Sequence, residues 1–494
     1  MDSISSKLVP GIEVERNSRI CCVRSTDQQM RKLNRLLFSR YPHAEWGTFF
    51  RFGYRITEWG ILITLVDLII PEDEDFDRES HVMEFRSAYI GRALKEAGDQ
   101  QFGIGFIHSH PEECLPRPSF ADDDMDTYFS EEFEKFSNGK PYLSLIVSRN
   151  EDGGKTFSGR CSYRGKWFDV TEWMTCGREN LIRQRHFLDR EEADHSGETR
   201  ERAAQLLGQE ALGRIHGARI GIVGCSGLGS PAAHILARAG VGEFVLIDPG
   251  HFKPSNLERN HASRATDLVN DDLLKVDLLE RLIHEISPET KVSKIEGDIL
   301  DDESLDALVR CDLVLSCTDS NYARAALGDL TTLYFLPVID LAVQMEATGG
   351  MLIAQVGEVA KYLPGLPCPW CRNRVNSLAI KDETASDQER ALAREAADDA
   401  EARGDDGAQY WRGEQRQELT VGYMTTIVAS IGAGFAQHWL TGVATQPHDR
   451  FQFDLGSPEF GFVSDSKQSD PNCSCSRCLG HADQGIADMT VGRK

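Results

Sequence analysis

Two histidines and an aspartate have a spacing that can bind a metal ion. His108 and His110 lie two residues apart in an apolar stretch that predicts a β-strand, so their side chains project to the same face. Ser119 and Asp122 lie three residues apart at the start of a predicted helix and again share a face. Two imidazoles and one carboxylate form the ligand set of a catalytic zinc ion, with the fourth position left to water. Either histidine alone would be interpreted as an ordinary structural side chain.

A second set of possible metal ligands consists of two Cys-x-x-Cys pairs. Cys368 and Cys371 form the first pair, and Cys475 and Cys478 form the second. Two such pairs that close one site from distant positions predict a structural zinc ion held by four thiolates. A redox pair at Cys368 and Cys371 is the alternative, although no thioredoxin-like pattern surrounds it. Cys473 has no ligand role in this interpretation.

A glycine-rich turn between a predicted strand and a predicted helix indicates a nucleotide site. An apolar run ends at Val223, three glycines follow, and a helix is predicted from Ser230. Such glycines let backbone N–H groups approach a phosphate closely, and the helix N-terminus adds the positive end of its dipole. A second predicted strand ends in Asp248, where a carboxylate can bind a ribose hydroxyl. The three glycines are Gly224, Gly227 and Gly229.

The residues that follow Asp248 carry a more specific pattern. Ser255–Arg259 read SNLER, Lys275 comes next, and a later predicted strand closes on Cys317-Thr318-Asp319. In this order, over about residues 199–478, the sequence resembles the ThiF/MoeB/HesA family, the bacterial relatives of ubiquitin-activating enzymes. It departs from the family pattern at two positions that we interpret as tolerated variation, Ser226 for glycine and Asn260 for glutamine.

The resemblance implies an ATP- and Mg²⁺-dependent adenylation of the C-terminal carboxylate of a carrier protein. Such a carboxylate is already ionised at neutral pH, so the reaction needs alignment and positive charge rather than a base. The resemblance implies that Arg259 and Lys275 supply the positive charge and that Asp319 binds Mg²⁺. It also implies that Arg202 reaches the ATP phosphates of a dimer partner, although Arg202 could equally be a solvated charge. The nucleotide-binding residues are then Gly224, Gly227, Gly229, Asp248, Asn256, Arg259, Lys275 and Asp319.

The histidine pattern also matches a known family. The run His108-x-His110-Pro-x7-Ser119-x2-Asp122 is similar to the JAMM (JAB/MPN) metallopeptidases without a gap. The resemblance implies that the two histidines and Asp122 bind zinc, that Ser119 helps to stabilise the oxyanion, and that an earlier glutamate is the general base. We favour Glu45, just before a predicted strand, over Glu58, which repeats the Glu-Trp-Gly triplet at a turn.

These motifs indicate two domains. The length of 494 residues agrees with this, because a single hydrophobic core stops growing at about 250 to 300 residues. We predict an α+β JAB/MPN domain at residues 1–175, a charged helical linker at 176–205, and a Rossmann-like, doubly wound α/β domain of ThiF type at 206–494. The last domain includes the four-cysteine zinc site and a mobile helical crossover at 386–418. In the first domain, strands are predicted at Arg19–Arg24, Thr48–Arg55 and Gly60–Ile70, and helices at Asp27–Phe38, Glu84–Ala97 and Asp122–Phe136.

Composition narrows the class of protein. The net charge of −24 argues against a nucleic-acid partner and against an anionic membrane surface. Thirteen cysteines without framework spacing, and no apolar signal sequence, predict a cytoplasmic protein. Leu419–Ala444 contains no Asp, Glu, Lys or Arg, but its polar content favours a buried helix over a membrane span.

These features predict an enzyme with two activities that act on one ubiquitin-like or sulfur-carrier protein. The first domain would cut after the carrier's C-terminal glycine, and the second would adenylate the carboxylate so exposed, working as a homodimer. A conjugating enzyme or a sulfurtransferase is a possible further partner. The alternatives are sulfur transfer through a thiocarboxylate for cofactor or cysteine synthesis, a catalytically dead scaffold, and a nicotinamide oxidoreductase, for which nothing accounts for hydride transfer.

The crossover raises a separate question about a thioester. No cysteine occurs between Cys371 and Cys473, whereas many thioester-forming relatives keep their catalytic thiol in the crossover. The reaction therefore either stops at the acyl-adenylate or uses a thiol elsewhere, such as Cys473.

Overall fold

The computed structural model describes residues 14–15, 20–39, 44–76, 85–99, 101–110, 115–137, 139–149, 155–186, 200–270, 272–403, 420–445, 448–456 and 468–491. The chain divides into two compact units. The first unit comprises residues 1–193, 332–335 and 478–488, and the second comprises 194–331, 336–477 and 489–494.

The first unit is built on one nine-stranded sheet. Its strands are β1 (Val14–Glu15), β2 (Ile20–Thr26), β3 (Gly47–Ile56), β4 (Gly60–Ile69), β5 (Gly103–Ser109), β6 (Tyr142–Arg149), β7 (Lys155–Tyr163), β8 (Lys166–Cys176) and β9 (Leu181–Arg185). They pair in the order β1-β8-β2-β4-β3-β5-β6-β7, with β9 on β8 and a further pairing of β7 with β8. The helices of this unit are α1 (Asp27–Leu37), α2 (Ser87–Asp99) and α3 (Phe120–Ser137).

The sheet of the first unit is covered on both faces. Leu33 of α1 belongs to one apolar cluster, whereas Tyr89 of α2 and Phe129 of α3 belong to another. Because side chains alternate along a strand, Phe50 of β3 joins the first cluster and Phe49 joins the second. The predicted helices of this unit are therefore present, with their ends shifted by at most three residues.

The prediction of a helical linker at 176–205 is wrong at its beginning. Leu181–Arg185 is strand β9, paired antiparallel with the end of β8, and Leu181 is buried. The charged composition of this stretch suggested a solvent-exposed helix, but alternate residues of an edge strand can also be polar. Residues 187–199 lie outside the described ranges, and α4 (Glu201–Leu207) follows them.

The second unit contains a seven-stranded sheet. Its strands are β10 (Arg219–Val223), β11 (Glu243–Ile247), β12 (Lys291–Ile295), β13 (Leu313–Ser316), β14 (Val338–Thr348), β15 (Met351–Tyr362) and β16 (Arg450–Asp454). They run in the order β12-β11-β10-β13-β14-β15-β16, with β10 to β14 parallel and β15 and β16 added antiparallel. The helices after α4 are α5 (Gln209–His216), α6 (Gly229–Ala239), α7 (Lys275–Ile286), α8 (Asp302–Leu308), α9 (Asn321–Tyr334), α10 (Ser377–Thr384), α11 (Asp387–Ala402), α12 (Gly422–Thr441) and α13 (Ser474–Arg477).

This topology creates a crevice at the carboxyl end of β10. The chain continues from β10 to β11 on one side and later returns to β13 on the other, so the strand order reverses at β10. In open parallel sheets, ligands bind at such a reversal. The α/β, Rossmann-like class predicted for this part of the chain is confirmed.

Helix α12 occupies the stretch predicted for a buried helix. The buried side of α12 includes Met424, Val428 and Trp439, and the helix packs on α6, β14 and β15. None of the helices in the described ranges is both long enough and apolar enough to cross a membrane. Helix α11 lies within the predicted crossover at 386–418, and residues 404–418 lie outside the described residues. Helix α10 directly precedes it, and α10 and α11 are together called the crossover from here on.

Candidate nucleotide and metal sites

The glycine-rich turn after β10 leaves no room for a side chain at two of its glycines. Gly224 has φ +94°, and a Cβ atom there would lie 2.7 Å from the carbonyl oxygen of Cys317. A Cβ atom on Gly229 would lie 2.0 Å from the carbonyl oxygen of Gly224. These contacts let α6 begin directly behind the turn, with its N-terminus beside the crevice.

A cavity of about 420 Å³ opens at this crevice, where the segments following four parallel strands meet. Most residues that the sequence assigned to nucleotide binding line it together, namely Gly224, Gly227, Asp248, Asn256, Arg259, Lys275 and Asp319. Gly229 lies behind the turn and is not among the lining residues. Arg202 is exposed on α4 and is not among them either.

Asp248 is fixed by the turn it faces. Its Oδ2 accepts a hydrogen bond of 2.8 Å from the backbone N–H of Cys225, and its Oδ1 accepts one of 2.7 Å from Gly250. The Nζ of Lys275, at the first position of α7, lies 3.4 Å from the same Oδ1. These contacts place a carboxylate and an ammonium group side by side at the cavity wall.

Three further charged groups complete the cavity. Arg259 Nη1 donates a hydrogen bond of 2.7 Å to Thr420 Oγ1, which also lines the cavity. Arg324 donates to the carbonyl oxygen of Thr318 at 2.9 Å and to Asp340 at 3.2 Å. The exposed carboxylate of Asp319 has no hydrogen bond or ion pair among the described residues.

The cavity therefore fits a magnesium–nucleotide complex in its chemistry. Arg259, Lys275 and Arg324 supply positive charge for phosphates, and Asp319 supplies the oxygen ligands that Mg²⁺ prefers. Ser226 also lines the cavity, and its Oγ is buried beside it without a hydrogen-bond partner among the described residues. A polar atom without a partner at a cavity wall suits a ligand that can complete its hydrogen bonding.

A further charged lining residue, Asp298, was not predicted from the sequence. Asp298 follows β12, at the same edge of the sheet as the other charged residues, and its Oδ1 accepts from Tyr322 at 3.3 Å. The signal that could have identified it is its position just beyond the carboxyl end of a parallel strand.

The thiols at this cavity are not activated. Burial and the neighbouring Asp340 raise the pKa of Cys317 far above its ordinary value. Burial and the nearby Asp248 likewise raise the pKa of Cys225. Both side chains therefore stay protonated at neutral pH, whereas a nucleophilic cysteine needs its thiolate form.

The first unit brings the three predicted zinc ligands together. His108 Nε2 lies 3.1 Å from Asp122 Oδ1, and His110 Nε2 lies 3.6 Å from Asp122 Oδ2. One ligand atom from each residue lies within 4.8 Å of the others. His108 is 1% exposed, and neither of its ring nitrogens has a hydrogen bond to the described residues. Such an imidazole fits the role of a metal ligand.

Asp122 is held in its ionised form. Burial would raise its pKa, but the close imidazoles of His108 and His110 outweigh burial and hold the pKa well below its ordinary value. The backbone N–H of Ser119 donates to Asp122 Oδ2 at 2.6 Å, and Ser119 Oγ accepts from the backbone N–H of Asp122 at 3.3 Å. Ser119 thus orients Asp122 as well as presenting a hydroxyl beside it.

The two candidate glutamates lie at opposite ends of β3. In the antiparallel register Gly47 pairs with His108, so Glu45 lies at the histidine end of the strand. Burial would lower the pKa of His110, but Asp122 and the charge of Glu45 raise it. Glu58 follows the far end of β3, about 30 Å away by the length of a ten-residue strand.

The four-cysteine cluster differs from the predicted one. The ligand atoms of Cys368, Cys371, Cys473 and Cys475 lie within 4.8 Å of one another, so Cys473 takes the place predicted for Cys478. The Sγ atoms of Cys368 and Cys473 are 3.5 Å apart, and those of Cys371 and Cys475 are 3.6 Å apart.

A turn before α13 explains the difference. The backbone N–H of Cys473 donates to Asp470 at 3.0 Å, and the backbone N–H of Asp470 donates to the Sγ of Cys371 at 3.4 Å. This turn directs Cys473 towards the first pair, and the grouping leaves Cys478 as a buried thiol. A pattern based on Cys-x-x-Cys spacing could not identify this Cys-x-Cys arrangement.

Comparisons with known proteins match parts of this chain. A family model described as the ThiF family matches residues 199–476, more than half of the chain. A stretch of 183 residues is 31% identical to the adenylyltransferase and sulfurtransferase uba4 of Emericella nidulans, covering 36% of this chain and 37% of that protein. A stretch of 165 residues is 26% identical to the SAMP-activating enzyme E1 of Haloferax volcanii, covering 33% of this chain and 57% of that protein.

Among solved structures, E. coli MccB with ATP matches 57% of this chain and 76% of its own, at a TM-score of 0.41 and 16% identity. The chain spans only about a third to just over half of the length of the two curated relatives.

Proposed function

The chain belongs to the ThiF family, and we propose that its second unit uses ATP and Mg²⁺ to adenylate the C-terminal carboxylate of a ubiquitin-like or sulfur-carrier protein. The observation that carries the proposal is the cavity, where Asp248, Arg259, Lys275 and Asp319 meet at the point of strand reversal. The names of the relatives, an adenylyltransferase and a SAMP-activating enzyme, support the reaction class.

The residues of the cavity have different roles in the proposed reaction. Asp248 and the glycine turn hold the ribose and phosphate end of the nucleotide, while Arg259 and Lys275 offset the negative charge that the carrier's carboxylate meets. Asp319 holds Mg²⁺, which when bound neutralises charge on the phosphate oxygens. No side chain needs to act as a base, because the carrier's carboxylate arrives ionised. The products are the acyl-adenylate and pyrophosphate.

Pyrophosphate exchange into ATP tests this half of the proposal. The protein should catalyse exchange only in the presence of a carrier that ends in a free C-terminal glycine. Asp319→Ala should lower exchange by about a hundredfold or more, because it removes the Mg²⁺ ligand. Glu303→Ala, an exposed carboxylate on α8 outside the cavity, is the matched control and should leave exchange unchanged. Full exchange by Asp319→Ala would refute the assignment.

The names of the relatives also favour the sulfur-carrier alternative in part, since one of them is a sulfurtransferase as well. Incubation of carrier and ATP with the protein and a sulfur donor, followed by mass spectrometry, separates the two outcomes. A thiocarboxylate on the carrier would indicate sulfur transfer, whereas a carrier linked to lysine would indicate conjugation.

We further propose that the first unit is a JAMM-like zinc peptidase that cuts after the carrier's C-terminal glycine. The support is the buried cluster of His108, His110 and Asp122 with Glu45 at the same end of the sheet. Zinc, when bound, lowers the pKa of a water molecule towards neutrality. Glu45 is then placed to take a proton from the water and pass it to the leaving amine, and Ser119 to stabilise the oxyanion.

Mass spectrometry of a carrier extended by a few residues, or linked to a lysine, tests this peptidase. Glu45→Gln should keep zinc and lower cleavage by about two to four orders of magnitude. Glu58→Gln, which changes the same triplet at the far end of β3, should cleave normally. His108→Ala should lose both zinc and cleavage, yet retain pyrophosphate exchange on a carrier with a free glycine. If wild-type protein with bound zinc leaves every extended carrier intact, the peptidase proposal is wrong.

A further inference from the structure

A carboxylate from the crossover is hydrogen-bonded to the first turn of α9, at the edge of the nucleotide cavity. Glu383, near the end of α10, accepts a bond of 2.6 Å from Ser320 Oγ. It also accepts bonds of 2.9 Å from the backbone N–H groups of Asn321 and Tyr322. A fourth bond, of 3.3 Å, comes from the side-chain amide of Asn321.

These bonds complete a helix cap that the local sequence leaves unfinished. The first N–H groups of a helix have no partner within the helix. Ser320 caps α9 in the ordinary way, because its Oγ accepts from the backbone N–H of Ala323 at 3.1 Å. The N–H groups of Asn321 and Tyr322 are satisfied by Glu383, and the helix dipole favours its negative charge.

The capped turn directly follows the Mg²⁺ residue of the proposed function. Ser320 and Tyr322 line the cavity, and Asp319 precedes them in the chain. Arg324 donates to the carbonyl oxygen of Thr318, which secures this segment from the other side. Residues 318–322 are therefore held between Arg324 and Glu383.

Glu383 is itself held by the crossover. Arg390 of α11 donates to the carbonyl oxygens of Asp382 at 2.5 Å and Ala385 at 3.1 Å. The backbone N–H of Asn376 donates to Asn321 Oδ1 at 3.0 Å, so the start of α10 is joined to the same turn. Both ends of α10 thus meet the first turn of α9.

We propose that Glu383 is a positioning residue that connects the crossover to the Mg²⁺ site by holding the turn that carries Asp319. This inference rests on the proposed adenylation. Loss of Glu383 leaves two backbone N–H groups of α9 without their acceptor and releases the end of α10 from this turn, so Asp319 loses its fixed position. The carrier and its carboxylate are not involved in this role.

The first experiment measures the Mg²⁺ requirement of pyrophosphate exchange. Glu383→Ala should raise the Mg²⁺ concentration for half-maximal exchange by about tenfold, the effect expected from removal of hydrogen bonds to a charged group. Glu383→Gln keeps one acceptor oxygen and should show a smaller rise. Asp382→Ala removes a neighbouring carboxylate that has no side-chain hydrogen bond among the described residues, and should behave as wild type. A normal Mg²⁺ requirement in Glu383→Ala, with active wild type, would overturn the inference.

A second experiment does not depend on activity. Hydrogen exchange of the folded, full-length protein should show faster exchange at residues 321–322 and 376–390 in Glu383→Ala, but not in Asp382→Ala. Unchanged protection there would overturn the inference. Wild type that fails to exchange pyrophosphate, together with the expected loss of protection in Glu383→Ala, would instead refute the proposed function and leave Glu383 as the cap that joins crossover and α9.

Discussion

At the scale of single residues, Ser226 is the clearest departure from the family pattern. It stands where the ThiF pattern has glycine, in the turn that lines the cavity. Its Oγ is buried and has no hydrogen-bond partner among the described residues. Leaving a buried hydroxyl without a partner is unfavourable, and a phosphate oxygen would supply the missing acceptor. What the sequence presents as tolerated variation is thus interpreted as a contact to the nucleotide.

Replacement of Ser226 tests that contact. Ser226→Ala should weaken ATP binding by about fivefold, which corresponds to one hydrogen bond, and should leave adenosine binding unchanged. Isothermal titration calorimetry with ATP and with adenosine provides the measurement. Ser263→Ala, outside the cavity lining, is the control. Equal or tighter ATP binding by Ser226→Ala would show that the hydroxyl makes no contact with the phosphates.

Several charged residues that line the cavity could be predicted from the sequence, but the contact made by Glu383 could not. Asp248, Arg259 and Lys275 could be assigned because each follows a predicted strand or a short motif, and parallel strands bring such positions to one edge. Glu383 could not, because its partner turn is about sixty residues away and nothing in the local pattern marks the contact. Long-range contacts of this kind depend on tertiary packing, which the spacing of residues in the sequence does not predict.

At the scale of elements, amphipathic helices and motif-bearing strands were predicted well, and edge elements were not. Helix α1 follows its apolar periodicity to within one residue of the prediction. Strand β9 was missed because a short edge strand needs only one buried side chain, here Leu181, and its charged neighbours dominate the composition. The four-cysteine cluster was predicted in the correct region but with Cys478 in place of Cys473, because the turn before α13 sets which thiols converge.

The presence of Cys473 in the cluster, in place of the predicted Cys478, leads to a direct prediction. Cys473→Ser should lower zinc content by about one ion per chain and destabilise the second unit, because a structural zinc ion contributes its binding energy to folding. Cys478→Ser should keep that zinc, since Cys478 lies outside the cluster. Metal analysis and thermal unfolding of both variants provide the measurement. If Cys478→Ser lost the zinc and Cys473→Ser kept it, the ligand set predicted from spacing, with Cys478, would be correct.

The same experiment bears on the thioester question. A thiol that binds zinc is not free to accept the carrier, and Cys225 and Cys317 remain protonated. If Cys473 is a ligand, the described thiols of the second unit offer no activated nucleophile at the cavity. In that case we predict that the proposed reaction stops at the acyl-adenylate.

At the scale of the whole molecule, each compact unit contains its own set of reactive residues. The family match covers residues 199–476, so the second unit is supported by relatives, whereas the peptidase proposal depends on the geometry of the first unit alone. The chemistry links the two, because adenylation needs a free C-terminal carboxylate and cleavage after glycine produces one. Tethering both sites in one chain would raise the local carrier concentration for the second step.

Arg202 raises the question of whether one chain is sufficient for adenylation. It is exposed on α4 and does not line the cavity of its own chain, although the family resemblance implies that it reaches ATP across a dimer. In a symmetric dimer, each active site would then combine Asp319 of one copy with Arg202 of the other. Arg202→Ala and Asp319→Ala should therefore both be defective in pyrophosphate exchange when tested alone.

Mixing the two defective proteins distinguishes a contribution across the dimer from one within a single chain. A mixed dimer contains one complete site, made from the Asp319 of the Arg202→Ala copy and the Arg202 of the Asp319→Ala copy. After unfolding and refolding together in equal amounts, random pairing should restore about a quarter of the wild-type activity. Mixing Asp319→Ala with Lys275→Ala is the control. Both residues line the cavity of the same chain, so every cavity in this mixture lacks one of them and no pairing restores activity. Recovery in the first mixture alone would show that Arg202 acts in the partner's site, while no recovery would confine it to its own chain or to the surface.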